Sequence, residues 1–213
     1  MNKKQRVFEL VSRSLAETVN TNKTLVVLPT NLYLKGFLLE STIEKNRYFL
    51  WKLVMPLYTP ASFISLSFGN RLARSKTILI EDRASSIKLA AEEVLQIITQ
   101  EHALAFLGQI DTPADFLSHV RSMLQNGVAP NQLHFAATFA LLGDYDKARE
   151  VLKAIVPTLY YENLRTRYLP SIEALLQAIE QGRDQTLALL ADWRQVNIET
   201  LGLQEAVRLS ATP

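Results

Sequence analysis

Residues 47–58 read Arg47-Tyr48-Phe49-Leu50-Trp51-Lys52-Leu53-Val54-Met55-Pro56-Leu57-Tyr58, and this run decides the fold class. Phe49, Trp51, Leu53, Met55 and Leu57 recur at every second position, the repeat that places side chains on one face of a strand. Within it Tyr48–Tyr58 is the longest apolar stretch of the chain, but Lys52 interrupts it and it is too short to cross a bilayer.

The same reading extends outward. Glu44-Lys45-Asn46 predicts a hairpin turn joining this strand to Leu32–Glu40. Thr24-Leu25-Val26-Val27-Leu28 is a short apolar run stopped by Pro29 and Asn31. On the other side Thr59-Pro60-Ala61-Ser62 predicts a second hairpin turn. Ile64, Leu66 and Phe68 then alternate with Ser65 and Ser67 as a half-buried strand, and Lys76–Ile80 adds a last member. Residues 24–80 are thus expected to form a small antiparallel sheet of three to five strands. Before it, Val7, Leu10, Val11, Leu15 and Val19 predict a helix over 5–19, broken by Asn20-Thr21-Asn22.

From Asp82 the period becomes helical. Ile87, Ala90, Ala91, Val94, Leu95, Ile98 and Ala105 predict one long helix ending near Gly108, capped by Ser85 or Asp82. Thr112-Pro113-Ala114-Asp115 opens the next as a capping box with Pro at the first helical position, and Asn126-Gly127 closes it. Pro130 starts another that ends at Gly143; Asp144 caps a further one that stops at Pro157. A helix over Leu159–Gln181 contains Pro170, where a break or kink is expected. Gly182-Arg183-Asp184 separates it from a final helix ending near Leu201. The fold class is α+β: residues 1–81 hold a helix and a small antiparallel sheet, and residues 82–213 a region of helical hairpins packed with it.

Pro130–Val156 carries two helices of about thirteen residues with a turn of one or two between them, a connection short enough to make them antiparallel neighbours. Here the chain resembles a single tetratricopeptide-type hairpin. Ala136 and Phe139 match the small and aromatic positions of that family's first helix, Gly143-Asp144-Tyr145 its turn, Ala148 its small contact residue and Leu152 the bulky position that follows. Gln132 stands where the family has a large aromatic, and Pro157 arrives early. Gly108, Gly143 and Gly182 follow helical segments at spacings of 35 and 39, a drifting period. The resemblance implies a scaffold that binds peptides or protein surfaces.

Composition sets outer bounds. The 48% apolar and 21% charged residues predict an ordered chain apart from ends such as Ser210–Pro213. With no cysteine there is neither disulfide nor thiolate metal site, which fits a reducing compartment. The basic start Met1-Asn2-Lys3-Lys4-Gln5-Arg6 leads into charged positions, not an apolar signal core, and the cytoplasm is the expected location. Net charge is +2, yet residues 1–83 carry 13 Lys/Arg against 6 Asp/Glu, and residues 84–213 carry 10 against 15. Such asymmetry can mark an anionic partner, but no cluster is as dense as a nucleic-acid patch.

No short motif points to catalysis or to a cofactor. Asp115 and His119 are the one plausible metal couple, and two ligands are fewer than zinc needs. Ser85-Ser86-Ile87-Lys88 spells Ser-x-x-Lys without the partner motifs of that chemistry, and the glycines are scattered singly. Two softer constellations stand out. Lys35, Arg47 and Lys52, with Arg71, lie on or beside strands rich in Tyr33, Tyr48, Trp51 and Tyr58, a pattern that can contact an anion or ligand and that equally suits an aromatic sheet core with a wet face. Tyr160, Tyr161, Arg165, Arg167 and Tyr168 cluster at the start of a helix, and Tyr and Arg are the types enriched at interface hot spots. The expectation is a non-enzymatic module that binds another protein: an adaptor, a chaperone-like protein or an inhibitor of the immunity type. One alternative is an enzyme or small-ligand binder with a pocket between sheet and helices; another is nucleic-acid binding through the basic N-terminal region.

Overall fold

Helix α1 (Lys3–Ser12) starts at Asn2, whose side chain accepts the Gln5 N–H while the Gln5 side chain accepts the Asn2 N–H. The computed structural model describes residues 1–21, 24–74, 76–121 and 129–211. α1 is shorter than the predicted 5–19 because β-branched Thr18 and Val19 are taken by strand pairing: β1 (Thr18–Asn20) aligns them with Val27 and Val26. The other strands are β2 (Thr24–Val27), β3 (Tyr33–Ser41), β4 (Arg47–Pro56), β5 (Gly69–Arg71) and β6 (Ile78–Leu79). Among the described residues they form a six-stranded sheet of order β1-β2-β3-β4-β5, with β6 also paired to β4. The registers Val26↔Gly36, Lys52↔Asn70 and Tyr48↔Ile78 are antiparallel. A side chain at position 36 would run into the Leu25 carbonyl oxygen, so glycine is what allows β2 and β3 to approach.

The structure defines the buried face of β4 and corrects two expectations for the sheet. In β4 the face of Phe49 and Trp51 is only half-buried, whereas Tyr48 and Leu50 face the core; from Leu53 onward both faces are buried, so alternation ceases to carry information. Ile64–Phe68 is not a strand. The Ser65 hydroxyl accepts the Ser67 N–H at 3.1 Å and the Gly69 N–H reaches the Leu66 carbonyl at 2.9 Å, so local side-chain bonding bends the chain. Thr59–Ser62 is not a hairpin turn but part of the long connection from β4 to β5.

The long helix splits into α2 (Ala84–Gln100) and α3 (Ala103–Gly108), because His102 takes a left-handed conformation with φ of 49°. No side chain caps α2: Asp82 pairs with Arg6, and it is Ser86 whose hydroxyl accepts the Glu81 N–H. Beyond the expected last helix lies α9 (Gln204–Ser210); Ser210, expected at a disordered end, accepts the Thr30 N–H at 2.7 Å.

Chain contacts define two compact units, and they divide elsewhere than at residue 82. The first comprises residues 1–55, 64–109 and 201 onward. Its core is made by Val7, Phe8 and Val11 of α1, by Leu25, Phe37, Leu39 and Leu50 of the sheet, and by Val94 and Ile98 of α2. The second comprises Pro56–Phe63 and Ile110–Thr200. It holds α4 (Pro113–Val120), α5 (Ala129–Leu141), α6 (Tyr145–Ile155), α7 (Glu162–Gln181) and α8 (Arg183–Thr200). The Thr112–Asp115 capping box and the Asp144 cap on the Lys147 N–H form as read from the sequence. The expected closure at Asn126-Gly127 lies outside the described residues. α5 and α6 make the most extensive helix–helix packing of this unit, with Ala136, Ala140, Ala148 and Leu152 buried, and Gly143 between them has φ of 81°. α7 is not broken at Pro170; that residue and Thr166, whose carbonyl it leaves unpaired, are both exposed, so water can take the missing bond. Among the described residues no helix is long and apolar enough to cross a membrane.

Candidate functional site

In the second unit, residues 56–63 are held by a buried polar node. The Asn197 side-chain amide on α8 donates to the carbonyls of Leu57 and Thr59, each at 2.6 Å, and its oxygen accepts the Ala61 N–H at 3.0 Å. The hydroxyls of Tyr58 and Thr138 share a hydrogen bond of 2.8 Å, and Thr138 donates to the His134 carbonyl at 2.6 Å. The Thr59 hydroxyl is bonded to His134 Nδ1. Burial pushes the His134 imidazole down to about 4, so the ring is neutral at physiological pH. Thr59 beside a histidine has the chemistry of a nucleophile and its base, but Thr59 is 0% exposed and cannot meet a substrate. The node is a clamp: it pays for the unpaired backbone of an irregular segment and fixes Pro60–Phe63 at the surface.

That segment forms one wall of a cleft of about 340 Å³. Pro60, Leu133 of α5, Arg167 and Tyr168 of α7, and Trp193 and Val196 of α8 line it. The Arg167 guanidinium lies 5.0 Å from the Phe63 ring centroid and 5.3 Å from that of Tyr168. Phe63 is 54% and Val196 56% exposed, so apolar surface beside Arg167 and within the cleft meets water. Arg167 is exposed and has no carboxylate partner among the described residues.

Of the five residues expected to bind a partner, Arg167 and Tyr168 line this cleft; Tyr160, Tyr161 and Arg165 do not, although all three are exposed. Phe63, Trp193 and Val196 escaped the sequence reading. The available signal was the line Trp193, Val196 and Thr200 at spacings of three and four, beside the buried line of Leu190 and Asn197 on α8.

Lys35, Arg47 and Lys52 are not gathered into one site. Lys35 is buried on β3, in register with Val27. Arg47 pairs with Glu44 at 2.8 Å and donates to the Thr77 hydroxyl. Lys52 lies 3.7 Å from the Phe106 ring centroid; burial lowers its pKa while Glu101 pulls it up. None of the three lines the cleft of the second unit, nor a groove of about 360 Å³ in the first, bordered by Lys4, Phe8, Leu38 and Glu40. Asp115 is occupied as a cap: Oδ2 accepts the Thr112 N–H at 2.9 Å and its hydroxyl at 2.7 Å, and these bonds hold its pKa low. Among the described residues no group of three His, Asp or Glu could hold a metal ion. Comparison with protein-family models, curated proteins and solved structures gives no significant match to this chain.

Proposed function

We propose that the protein is a non-enzymatic protein-binding module, of the adaptor, chaperone-like or inhibitor kind, that engages its partner at the cleft of the second unit. The observation that carries this reading is the exposure of Val196 in a cleft whose walls are held by helices and by the Asn197 clamp, and of Phe63 beside the cleft's Arg167. Apolar side chains left in water beside a preformed concavity gain free energy when a partner covers them. On this reading α5 and α6 act as a tetratricopeptide-like hairpin: their small residues Ala136 and Ala148 are buried where the family packs its helices, and the pair serves as a rigid support. The cysteine-free composition suits the reducing cytoplasm, where we place the protein.

The test is a photo-crosslinking amino acid introduced at Val196 and, as a control, at Leu89 of the first unit, which is 65% exposed. Irradiation in native cells should give a discrete adduct from position 196 only, with a protein that rebinds the purified chain once identified. No adduct, or the same smear from both positions, would sink the reading.

A further inference from the structure

We propose that the occupant of the cleft is an acidic peptide segment: an apolar side chain inserts beside Trp193 and Val196, and a carboxylate one to three residues away pairs with Arg167. The inference rests on the protein-binding reading above and names the chemistry of the partner.

Charge carries it first. Among the described residues Arg167 is the one charged residue that lines the cleft. Seven other arginines are closed by the chain's own carboxylates: Arg6 by Asp82, Arg13 by Glu9, Arg47 by Glu44, Arg71 by Glu40, Arg83 by Glu81, Arg149 by Asp146 and Arg208 by Glu205; Arg74, Arg121, Arg165 and Arg183 have none among the described residues, but they do not line the cleft. Arg167 has neither a carboxylate nor a hydrogen-bond acceptor among the described residues. The guanidinium lies near the rings of Phe63 and Tyr168, contacts that favour this placement. Contact with aromatic rings leaves the N–H donors for a planar, bidentate acceptor, and a carboxylate is the acceptor a protein partner supplies.

The apolar part sets the rest. A volume of about 340 Å³ is at the lower end of what holds a ligand, room for one or two side chains and not for a folded surface. Phe63, beside Arg167 and outside the cleft lining, continues the apolar surface beyond it, which suits a chain that runs on past its anchor. A nucleic acid would want several cations along a backbone, and among the described residues this cleft has one. Because residues 84–213 carry more acid than base, recognition is read at contact by Arg167 and is not steered from a distance.

The experiment presents the immobilised full chain with three synthetic nonapeptide pools. Each has a central Leu, Phe or Trp, flanked by Asp/Glu in one pool, Asn/Gln in the second and Lys/Arg in the third. The acidic pool should bind about tenfold tighter than the amide pool, the size of one good charged hydrogen-bond pair. Arg167→Gln should erase that preference, and Arg167→Glu should shift it to the basic pool, an inversion that loss of fold would not produce. Equal binding of the acidic and amide pools, an acidic preference that survives Arg167→Gln, or stronger binding of a single-stranded oligonucleotide would each overturn the proposal. If these fail while the Val196 crosslink succeeds, only the acidic segment is wrong; if both fail, the protein-binding reading falls with it.

Discussion

The first unit sets the Arg71 guanidinium 3.8 Å from the Phe49 ring centroid and 5.2 Å from that of Trp51; the second sets Arg167 5.0 Å from Phe63 and 5.3 Å from Tyr168. The two stacks are built from the same residue types and differ in what closes them. Glu40 accepts from Arg71 at 3.4 Å and from the Trp51 indole N–H at 2.8 Å, so charge and donor are satisfied within the sheet. Arg167 has no such carboxylate among the described residues, and Phe63 beside it is more than half exposed. A cation over aromatics is therefore no sign of a site by itself; the absent counter-charge is what separates an open surface from a finished one. The same contrast runs through the backbone. In the first unit single serine hydroxyls each hold one backbone N–H, as Ser65 does for Ser67 and Ser86 for Glu81, whereas a connected node of side chains from two helices holds the Pro56–Phe63 segment of the second.

The largest effect is expected from breaking that second device. Asn197→Ala orphans the Leu57 and Thr59 carbonyls and the Ala61 N–H, at a cost of about 4 kcal/mol, since each buried unpaired group costs roughly 1–3 kcal/mol. The chain has two tryptophans, Trp51 in the first unit and Trp193 in the second. Urea unfolding followed in a Trp51→Phe background, where Trp193 alone reports, should show the loss. A shift under 1 kcal/mol would mean the segment does not depend on the clamp.

Next comes pH. The folded His134 titrates near 4 and the unfolded one near 6.5, so across that window the unfolded chain binds more protons and stability rises with pH. The contribution is fully present above 6.5 and is lost as pH falls toward 4; by about pH 4.5 the loss is roughly 2.5 kcal/mol. His134→Asn keeps a polar group near Thr59 and removes the titration. The difference between parent and variant stabilities should shrink steadily as pH is lowered from 7 to about 4.5. Parallel pH profiles would show that His134 does not stay neutral. In the first unit the counterpart is Gly36→Ala, which drives a methyl group into the Leu25 carbonyl and should cost about 2 kcal/mol, read by Trp51 in a Trp193→Phe background.

Legibility followed the range of the interaction. The Thr112–Asp115 box and the Asp144 cap are set by residues three apart, and the sequence displays them directly. The helix break at His102 has no such marker, because neither Gly nor Pro stands there. Which face of β4 is buried could not be read, because Leu53–Tyr58 is apolar and buried throughout and period two no longer says which side is inside. The cleft was half legible. Arg167 and Tyr168 adjoin in the chain, but Pro60 and Val196 reach it from segments over a hundred residues apart. The node linking Thr59, His134, Tyr58 and Thr138 spans 75 and 80 residues, and nothing local about a threonine or a histidine announces such a partner.

The smallest expected effect tests the opening contrast most directly. Arg71→Gln removes a charge that Glu40 is paired with and a group that covers Phe49 and Trp51. Both partners are part-exposed, so the cost should be about 1 kcal/mol, in the upper range for surface ion pairs. Arg167→Gln removes a charge with no counterpart and leaves Phe63 no more buried than before, so the cost should be under about 0.5 kcal/mol. Two urea curves, each read by the tryptophan of its own unit, decide the matter. Equal costs would mean that Arg167 is as much a structural residue as Arg71, and the ground for an open site at the cleft would be gone. A near-neutral Arg167→Gln that abolishes preference for acidic peptides would separate the two arginines by function as well as by surroundings.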